Sequence, residues 1–298
     1  MQECQQQLFT MDMLASPERI LVATDIDDLE GLLPHAIAQA RASGALVTIV
    51  HSIYPLYVAS LETAVIPVDY EATLINDVRA RISGAVNRMI AAGVDSCVFI
   101  KIGRASDVIL QELIRTNSSR LIMGTHGRGK LRQFALGSVA HDLVTKVSIP
   151  IFVIGPHARH SGMHAKPSKI LHPVSFVGNY PDNCLLALQI AKNFGAEITF
   201  LHILEQSIDH NLNPARSIAW AENALADCLP RDLLQSHSIT MKVVFGDVAK
   251  EILVTAKDMR ADWIVLSTDE GSQNGVFTES RAFAVLANAN CPILTLGR

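Results

Sequence analysis

Three glycines and a serine with the spacing G-x2-G-x9-G-S, at Gly124, Gly127, Gly137 and Ser138, are the residues of this chain best suited to an anionic ligand. Gly124 follows the apolar run Leu121–Met123, and Ser138 opens a segment with helical periodicity. Glycine lets a ligand approach the backbone closely. A helix N-terminus offers N–H groups without intrahelical partners, so the hydroxyl and amides at Ser138 suit phosphate oxygens. The bland alternative, that the glycines only turn the chain and Ser138 is an N-cap, is left open by spacing alone. The same stretch imitates a P-loop, because Gly124 to Lys130 satisfies GxxxxGK. Leu131 then stands where Ser or Thr must ligate Mg2+, and Leu131 to Ala135 separate the lysine from the helix, so that reading is set aside.

Asp25 follows the strand-like run Ile20–Ala23. A carboxylate at the carboxyl end of a parallel strand can accept hydrogen bonds from ribose hydroxyls, and it can also cap the next helix. His51 is matched by His202 later in the chain, which reads as a structural rather than a catalytic histidine. The backbone just past it, near Ser52, suits an adenine ring. No serine, cysteine or carboxylate stands in a nucleophile-and-base pattern, so no catalytic residue is assigned. His157, His160 and His164 lack a neighbouring carboxylate or cysteine pattern, and no metal site is assigned either.

The elements that must position these residues occur twice. RILVATD at Arg19–Asp25 is echoed by KILHPVS at Lys169–Ser175, and GALVTIVHSI at Gly44–Ile53 by GAEITFLHIL at Gly195–Leu204. IKIGRASDVIL at Ile100–Leu110 matches VVFGDVAKEIL at Val243–Leu253, and SIPIFVIG at Ser148–Gly155 matches NCPILTLG at Asn290–Gly297. Four ordered matches mean an internal duplication. Within the first copy, strands are expected at Ile20–Ala23, Leu46–His51, Val98–Ile102, Leu121–Met123 and Ile149–Ile154. Helices are expected at Leu32–Ala42, Thr73–Ala92, Ala105–Arg115 and Ser138–Lys146. Nearly all-apolar strands alternating with helices indicate a parallel sheet covered on both faces. The intervening Tyr54–Tyr70 reads as a packed crossover lid.

With 298 residues, 49% hydrophobic and 18% charged, the chain can bury the cores of two such domains. A formal charge of -4 gives no support to a general nucleic-acid binder. No apolar run approaches the roughly 20 residues of a membrane span, and the first residues are too polar for a signal peptide. The odd set Cys4, Cys97, Cys184, Cys228 and Cys291, without CxxC spacing, fits free thiols in a reducing cytoplasm.

On these residues the sequence resembles the universal stress proteins in their tandem form, over roughly Pro17–Gly155 and Ser168–Gly297. MGTHGRG followed by GS resembles the signature of the family's ATP-binding branch, and only the first copy carries it. The resemblance implies an α/β fold of two doubly wound, Rossmann-like domains, each a five-stranded parallel sheet with helices on both faces, like the adenine nucleotide alpha hydrolases. It implies a nucleotide-binding domain at 17–156, a linker at 157–167 and a second domain with a degenerate site at 168–298. ATP is the implied ligand, with Mg2+ as a candidate companion. Thr24 and Asp25 would sit at base and ribose, the Ser52 backbone near adenine, and Met123 and Gly124 beneath the nucleoside. Gly127, Gly137, Ser138 and Val139 would line the phosphates.

Two departures stand out. Asp27 replaces the serine usual two positions after the aspartate, putting charge near a polyphosphate. Arg120 occupies the start of strand four where the usual aspartate is expected, while the second copy keeps Asp262. In that copy Ser175 stands at the place of Asp25, Ser267 to Glu270 replace the first glycine turn, and Glu279 replaces Gly137, so no ATP is expected there. The two copies are expected to pair through their terminal strands as an intramolecular pseudo-dimer, with a further homodimer optional. The functional expectation is a regulatory or stress-protective ATP binder with one competent site. A slow ATPase and a structural adaptor that binds no nucleotide are the alternatives.

Overall fold

Short β-branched runs become strands, and the amphipathic runs between them become covering helices. A computed structural model describes residues 11–54, 69–125, 137–155, 157–158, 165–205, 214–229, 239–267 and 279–296. The first copy runs α1 (Met11–Ala15), β1 (Arg19–Ala23), α2 (Leu29–Ser43), β2 (Leu46–Ile53), α3 (Tyr70–Ala91), β3 (Ser96–Ile102), α4 (Ala105–Thr116), β4 (Arg120–Gly124), α5 (Ser138–Lys146) and β5 (Ile151–Ile154). The second runs β6 (Lys169–Pro173), α6 (Tyr180–Phe194), β7 (Glu197–Leu204), α7 (Pro214–Asp227), β8 (Ile239–Phe245), α8 (Val248–Asp258), β9 (Trp263–Ser267), α9 (Glu279–Asn288) and β10 (Ile293–Leu296). Most of the expected lid, 55–68, and His160 and His164 lie outside the described residues.

All ten strands join one sheet in the order β3-β2-β1-β4-β5-β10-β9-β6-β7-β8. Each half is parallel throughout, and the halves meet where β5 and β10 pair antiparallel, with Phe152 opposite Leu294. The Thr295 hydroxyl lies 3.3 Å from both the N–H and the carbonyl of Ile151. The terminal strands therefore cover each other's edges, as a short apolar edge strand requires. The free outer edges, β3 and β8, carry exposed Lys101 and Lys242, which discourage further strand addition.

Alternation along the strands builds two cores that run across both copies. Ile20, Val22, Ile49, Ile122, Phe152, Trp263 and Leu294 face α2, α3 and α6. Leu21, Ala23, Val50, Leu121, Met123, Ile151 and Ile293 face α4, α5, α8 and α9. At the seam, His35, Phe152, Trp263 and Phe194 form a chain of ring contacts 4.7 to 5.4 Å apart.

Strand register corrects one expected correspondence. Ile20 pairs with Arg120 and Ile170 with Trp263, so the counterpart of Arg120 is Trp263. The counterpart of Asp262 is Ser119: the Ser119 N–H donates to the Arg19 carbonyl as that of Asp262 does to Lys169. Asp262 accepts from the N–H of Ser168 and of Lys169 and from the Ser168 hydroxyl, at 2.7 to 2.9 Å. Arg120 is a buried seam residue, donating to Gln39 Oε1 at 2.9 Å and to the Leu14 carbonyl of α1. Burial, with no charged partner among the described residues to oppose it, lowers its guanidinium to about 9.

Candidate functional site

From β1 the chain winds one way to β2 and β3, then returns to place β4 on the other side of β1. Ligands of open α/β sheets collect at such a switch point, in the crevice beyond the carboxyl ends of the strands. Here that crevice lies between Thr24-Asp25 and Gly124-Thr125.

The turn after β1 is held by its own side chains. The Thr24 hydroxyl donates to Asp28 Oδ1 at 2.7 Å and accepts from the Ile26 N–H at 2.9 Å. The Asp28 N–H donates to Asp25 Oδ1 at 3.0 Å, and the Asp25 N–H returns to Asp28 Oδ1 at 3.3 Å. Asp28, 7% exposed, is the residue preceding α2, so the helix-capping position falls to it and not to Asp25. Ile26 takes φ 78°, a conformation that a β-branched residue adopts only under constraint. This reciprocal lock fixes the Asp25 carboxylate by one oxygen, while Oδ2 has no partner among the described residues. Sequence reasoning missed Asp28 and the strain at Ile26. The available signal was the acidic pair three apart behind Thr24.

Asp27 points elsewhere. Its carboxylate pairs with Arg81 of α3 at 2.9 Å, so the charge expected to trouble a polyphosphate is already matched by a cation of the chain.

His51 is 3% exposed, and its Nδ1 lies 2.8 Å from the Thr24 carbonyl, while His202 repeats the contact with Val174 at 2.9 Å. Each ties β2 or β7 to the turn after its neighbour strand, a structural task. The Thr24 N–H ends the pairing of β1 with β2 by donating to Val50. Two residues on, strand alternation turns the backbone groups of Ser52 to the side that β1 has left. The Ser52 hydroxyl donates to the Gly103 carbonyl at 2.7 Å and is thereby occupied.

On the other wall, the Gly137 N–H donates to the Thr125 carbonyl at 2.9 Å, drawing the start of α5 back to the end of β4. Gly137 has extended dihedrals (φ -64°, ψ 151°) and is the N-cap, so Ser138 is the first helical residue and not the cap. Ser138 is exposed and Val139 half-buried. The Met123 side chain is buried in the sheet's core, leaving its backbone at the crevice. Gly127 lies outside the described residues. Thr24, Asp25, Gly124, Gly137 and Ser138 thus share one crest of the sheet, with Ser52 one strand away.

A fold with this winding, met twice in one chain, is what the comparisons with known proteins find. The model of the universal stress protein family matches residues 17–155 and again 170–296. The chain belongs to the universal stress protein family. A universal stress protein from Archaeoglobus fulgidus DSM 4304 superposes with a TM-score of 0.71 at 16% identity, covering 96% of this chain and 98% of that one. A functionally unknown protein from Pseudomonas aeruginosa PAO1 superposes at 0.66, also at 16% identity, with 96% and 94% covered. At this identity the likeness is one of fold. No curated protein matches the chain. No helix among the described residues is long and apolar enough to cross a membrane.

The second universal stress protein half has the same crest with different furniture. Val174 and Ser175 replace Thr24 and Asp25, and Phe176 replaces Ile26 and stacks on His202 with centroids 4.1 Å apart. Tyr180 and Trp220 meet Phe176 edge-on at 5.5 and 5.4 Å. Ser267, in the place of Gly124, accepts from Asn183 Nδ2 at 2.8 Å. Arg281 of α9 donates to Glu205, just past β7, at 2.6 and 3.0 Å, so an ion pair links the start of α9 to the end of β7.

Proposed function

We propose that the first half binds one adenine nucleotide, ATP, in the crevice between β1 and β4, and that the second half binds none. The observation that carries this reading is the locked turn after β1, which holds Asp25 at the switch point with one carboxylate oxygen available for ribose hydroxyls. Three further features support it. The Ser52 backbone faces the space an adenine ring would enter. Gly124 leaves the floor without a side chain. Gly137 brings the amides of the α5 N-terminus to the same crest, where phosphate oxygens are favoured. Thr24 and Asp28 position Asp25 rather than contact the nucleotide.

On this reading the nucleotide is held and not consumed, and the protein has a regulatory or stress-protective role. Leu131 stands where a P-loop would have its Mg2+-binding hydroxyl, and holding phosphates does not itself orient a water for attack. Any Mg2+ would then travel with the phosphates rather than with a dedicated protein ligand set. Calorimetric titration with ATP, with phosphate release followed in parallel, tests the proposal. One site per chain, lost in Asp25→Ala, with no release above a blank is expected. Two equivalent sites, or many turnovers per minute, would overturn it.

A further inference from the structure

Arg120 is a buried cation with no anionic partner among the described residues. It stands at the start of β4 against Gln39 of α2, and each of the two is 2% exposed. The guanidinium donates to Gln39 Oε1 at 2.9 Å and to the Leu14 carbonyl, and no carboxylate among the described residues acts on it. Its Nε–H and the Nε2 amide of Gln39 are left without an acceptor among the described residues. The acceptors around them are already engaged. Arg120 takes Gln39 Oε1, the Ser43 hydroxyl takes the Gln39 carbonyl at 3.0 Å, and Asn193 Nδ2 takes the Ala15 carbonyl at 3.3 Å.

Both side chains line a cavity of about 10 Å3 where the two halves meet. Ser16, just after α1, closes one side of it, and Asn193 and Phe194, at the end of α6, close another. Asn193 is exposed, so the rim of the cavity meets solvent. The cavity lies toward the amino ends of the strands, away from the nucleotide crest at their carboxyl ends. Neither the fold nor that crest accounts for the leftover N–H groups.

We propose that this cavity binds a single chloride ion, held by the Arg120 guanidinium and the Gln39 amide, and that the ion pins the junction of α1, α2 and α6. Charge, polarity and size together select the ligand. Arg120 is charged at neutral pH, because a guanidinium lowered to about 9 still titrates above 7. A buried charge without a counter-charge is costly. Water would satisfy the N–H groups but not the charge, whereas an anion satisfies both. The leftover groups are donors, which a metal cation cannot use. The volume corresponds to about one water-sized sphere, too small for phosphate, sulfate or a carboxylate side chain of a partner. A monatomic anion fits, and the exposed Asn193 side chain can give way to the slightly larger radius of chloride.

Urea unfolding of the full chain in sodium chloride and in sodium gluconate, at equal ionic strength so that screening is the same, tests the proposal. Chloride should raise the midpoint. Above the dissociation constant, each tenfold rise in chloride should raise the folding equilibrium constant tenfold, the slope of one ion per chain. Gln39→Glu supplies a carboxylate to the guanidinium in place of the ion, so its midpoint should be the same in both salts. Crystals of the parent soaked in sodium bromide should show an anomalous peak beside Arg120. Equal midpoints for the parent in the two salts would overturn the proposal and leave water as the partner of the N–H groups. Chloride dependence retained in Gln39→Glu would also overturn it, by placing the ion elsewhere. If Gln39→Glu fails to fold, the bromide peak decides: a peak beside Arg120 upholds the site, and peaks only at other positions sink it.

Discussion

The two halves share one sheet and nearly one framework, yet their crests differ at almost every residue that faces the crevice. In the first half polar groups lock a turn and hold a carboxylate forward: Thr24, Asp25 and Asp28 bond among themselves. In the second half the same ground is taken by side-chain bulk and an ion pair: Phe176 on His202, Ser267 tied to Asn183, and Arg281 to Glu205. The strands beneath keep their register in both. Packing constrains the strand residues of a duplicated domain from both faces, while the loop residues beyond the strand ends are constrained only by what they bind.

The largest expected effect comes from carrying Glu279 back into the first half. Gly137 has extended dihedrals that any residue adopts, so Gly137→Glu leaves α5 and the fold intact. Its carboxylate meets phosphate oxygens, and at an effective dielectric of about 20 two unit charges 4 Å apart repel by roughly 4 kcal/mol, or about a thousandfold in affinity. Calorimetry should find no ATP binding, with an unchanged circular dichroism spectrum. Binding as tight as the parent's would place the phosphates away from Gly137.

The second half also carries a buried titratable group at a strand position where the first half has an apolar one. His172, 1% exposed with Nδ1 2.8 Å from the Val265 carbonyl, stands where the first half has Val22. Burial lowers its imidazole from 6.5 to about 4, and His202 is lowered in the same direction by the same cause. The unfolded chain therefore binds the proton more readily. Stability is fully present above pH 6.5 and falls as pH drops toward 4, by at most about 3 kcal/mol from His172. Urea unfolding at pH 7 and pH 4.5 should show the loss, and His172→Val should shrink the difference between the two pH values. An unchanged difference would mean that His172 is not the group that titrates.

A third substitution sharpens the comparison at the turn. Thr24→Val installs the residue of the second half, but there Gly178 and Asn179 precede the helix and no carboxylate needs the hydroxyl. In the first half it removes the shorter of the hydrogen bonds to Asp28 Oδ1, leaving the longer one from the Asp25 N–H, and takes the Ile26 N–H's acceptor away, which costs about 1–3 kcal/mol. Denaturant midpoints measure the loss, and nucleotide affinity should fall with it as Asp25 loses its support. A smaller change is expected at Asp27→Asn. Its exposed pair with Arg81 contributes about 0–1 kcal/mol, and ATP affinity should scarcely move. A marked gain in affinity would restore Asp27 to the phosphate path.

Much of this was legible in the chain itself. The repeated strand runs announced two copies, and β5 and β10, short, apolar and last in each winding, announced their own pairing. His51 and His202 announced a shared structural contact. The correspondence at the start of β4 was not legible, because the sequence does not show which of Ser119 and Arg120 enters the ladder with Ile20. Only strand register showed that Ser119 answers Asp262 and Arg120 answers Trp263. The orientation of Asp27 toward Arg81, the capping by Gly137 rather than Ser138, and the lock through Asp28 were likewise beyond sequence. Each depends on dihedrals and on partners from other parts of the chain.

The sequence alone determined what periodicity and repetition encode: the α/β elements, their duplication and the glycine-serine spacing at one crest. Those are local properties, written in which residues are apolar, small or polar along a few turns. Tertiary structure alone decided which polar groups meet. Asp27 meets Arg81 of α3, and Arg120 reaches a carbonyl of α1 from the start of β4. Such contacts are set by how whole elements dock on the sheet, and docking is governed by the summed packing of both cores rather than by any short stretch of residues.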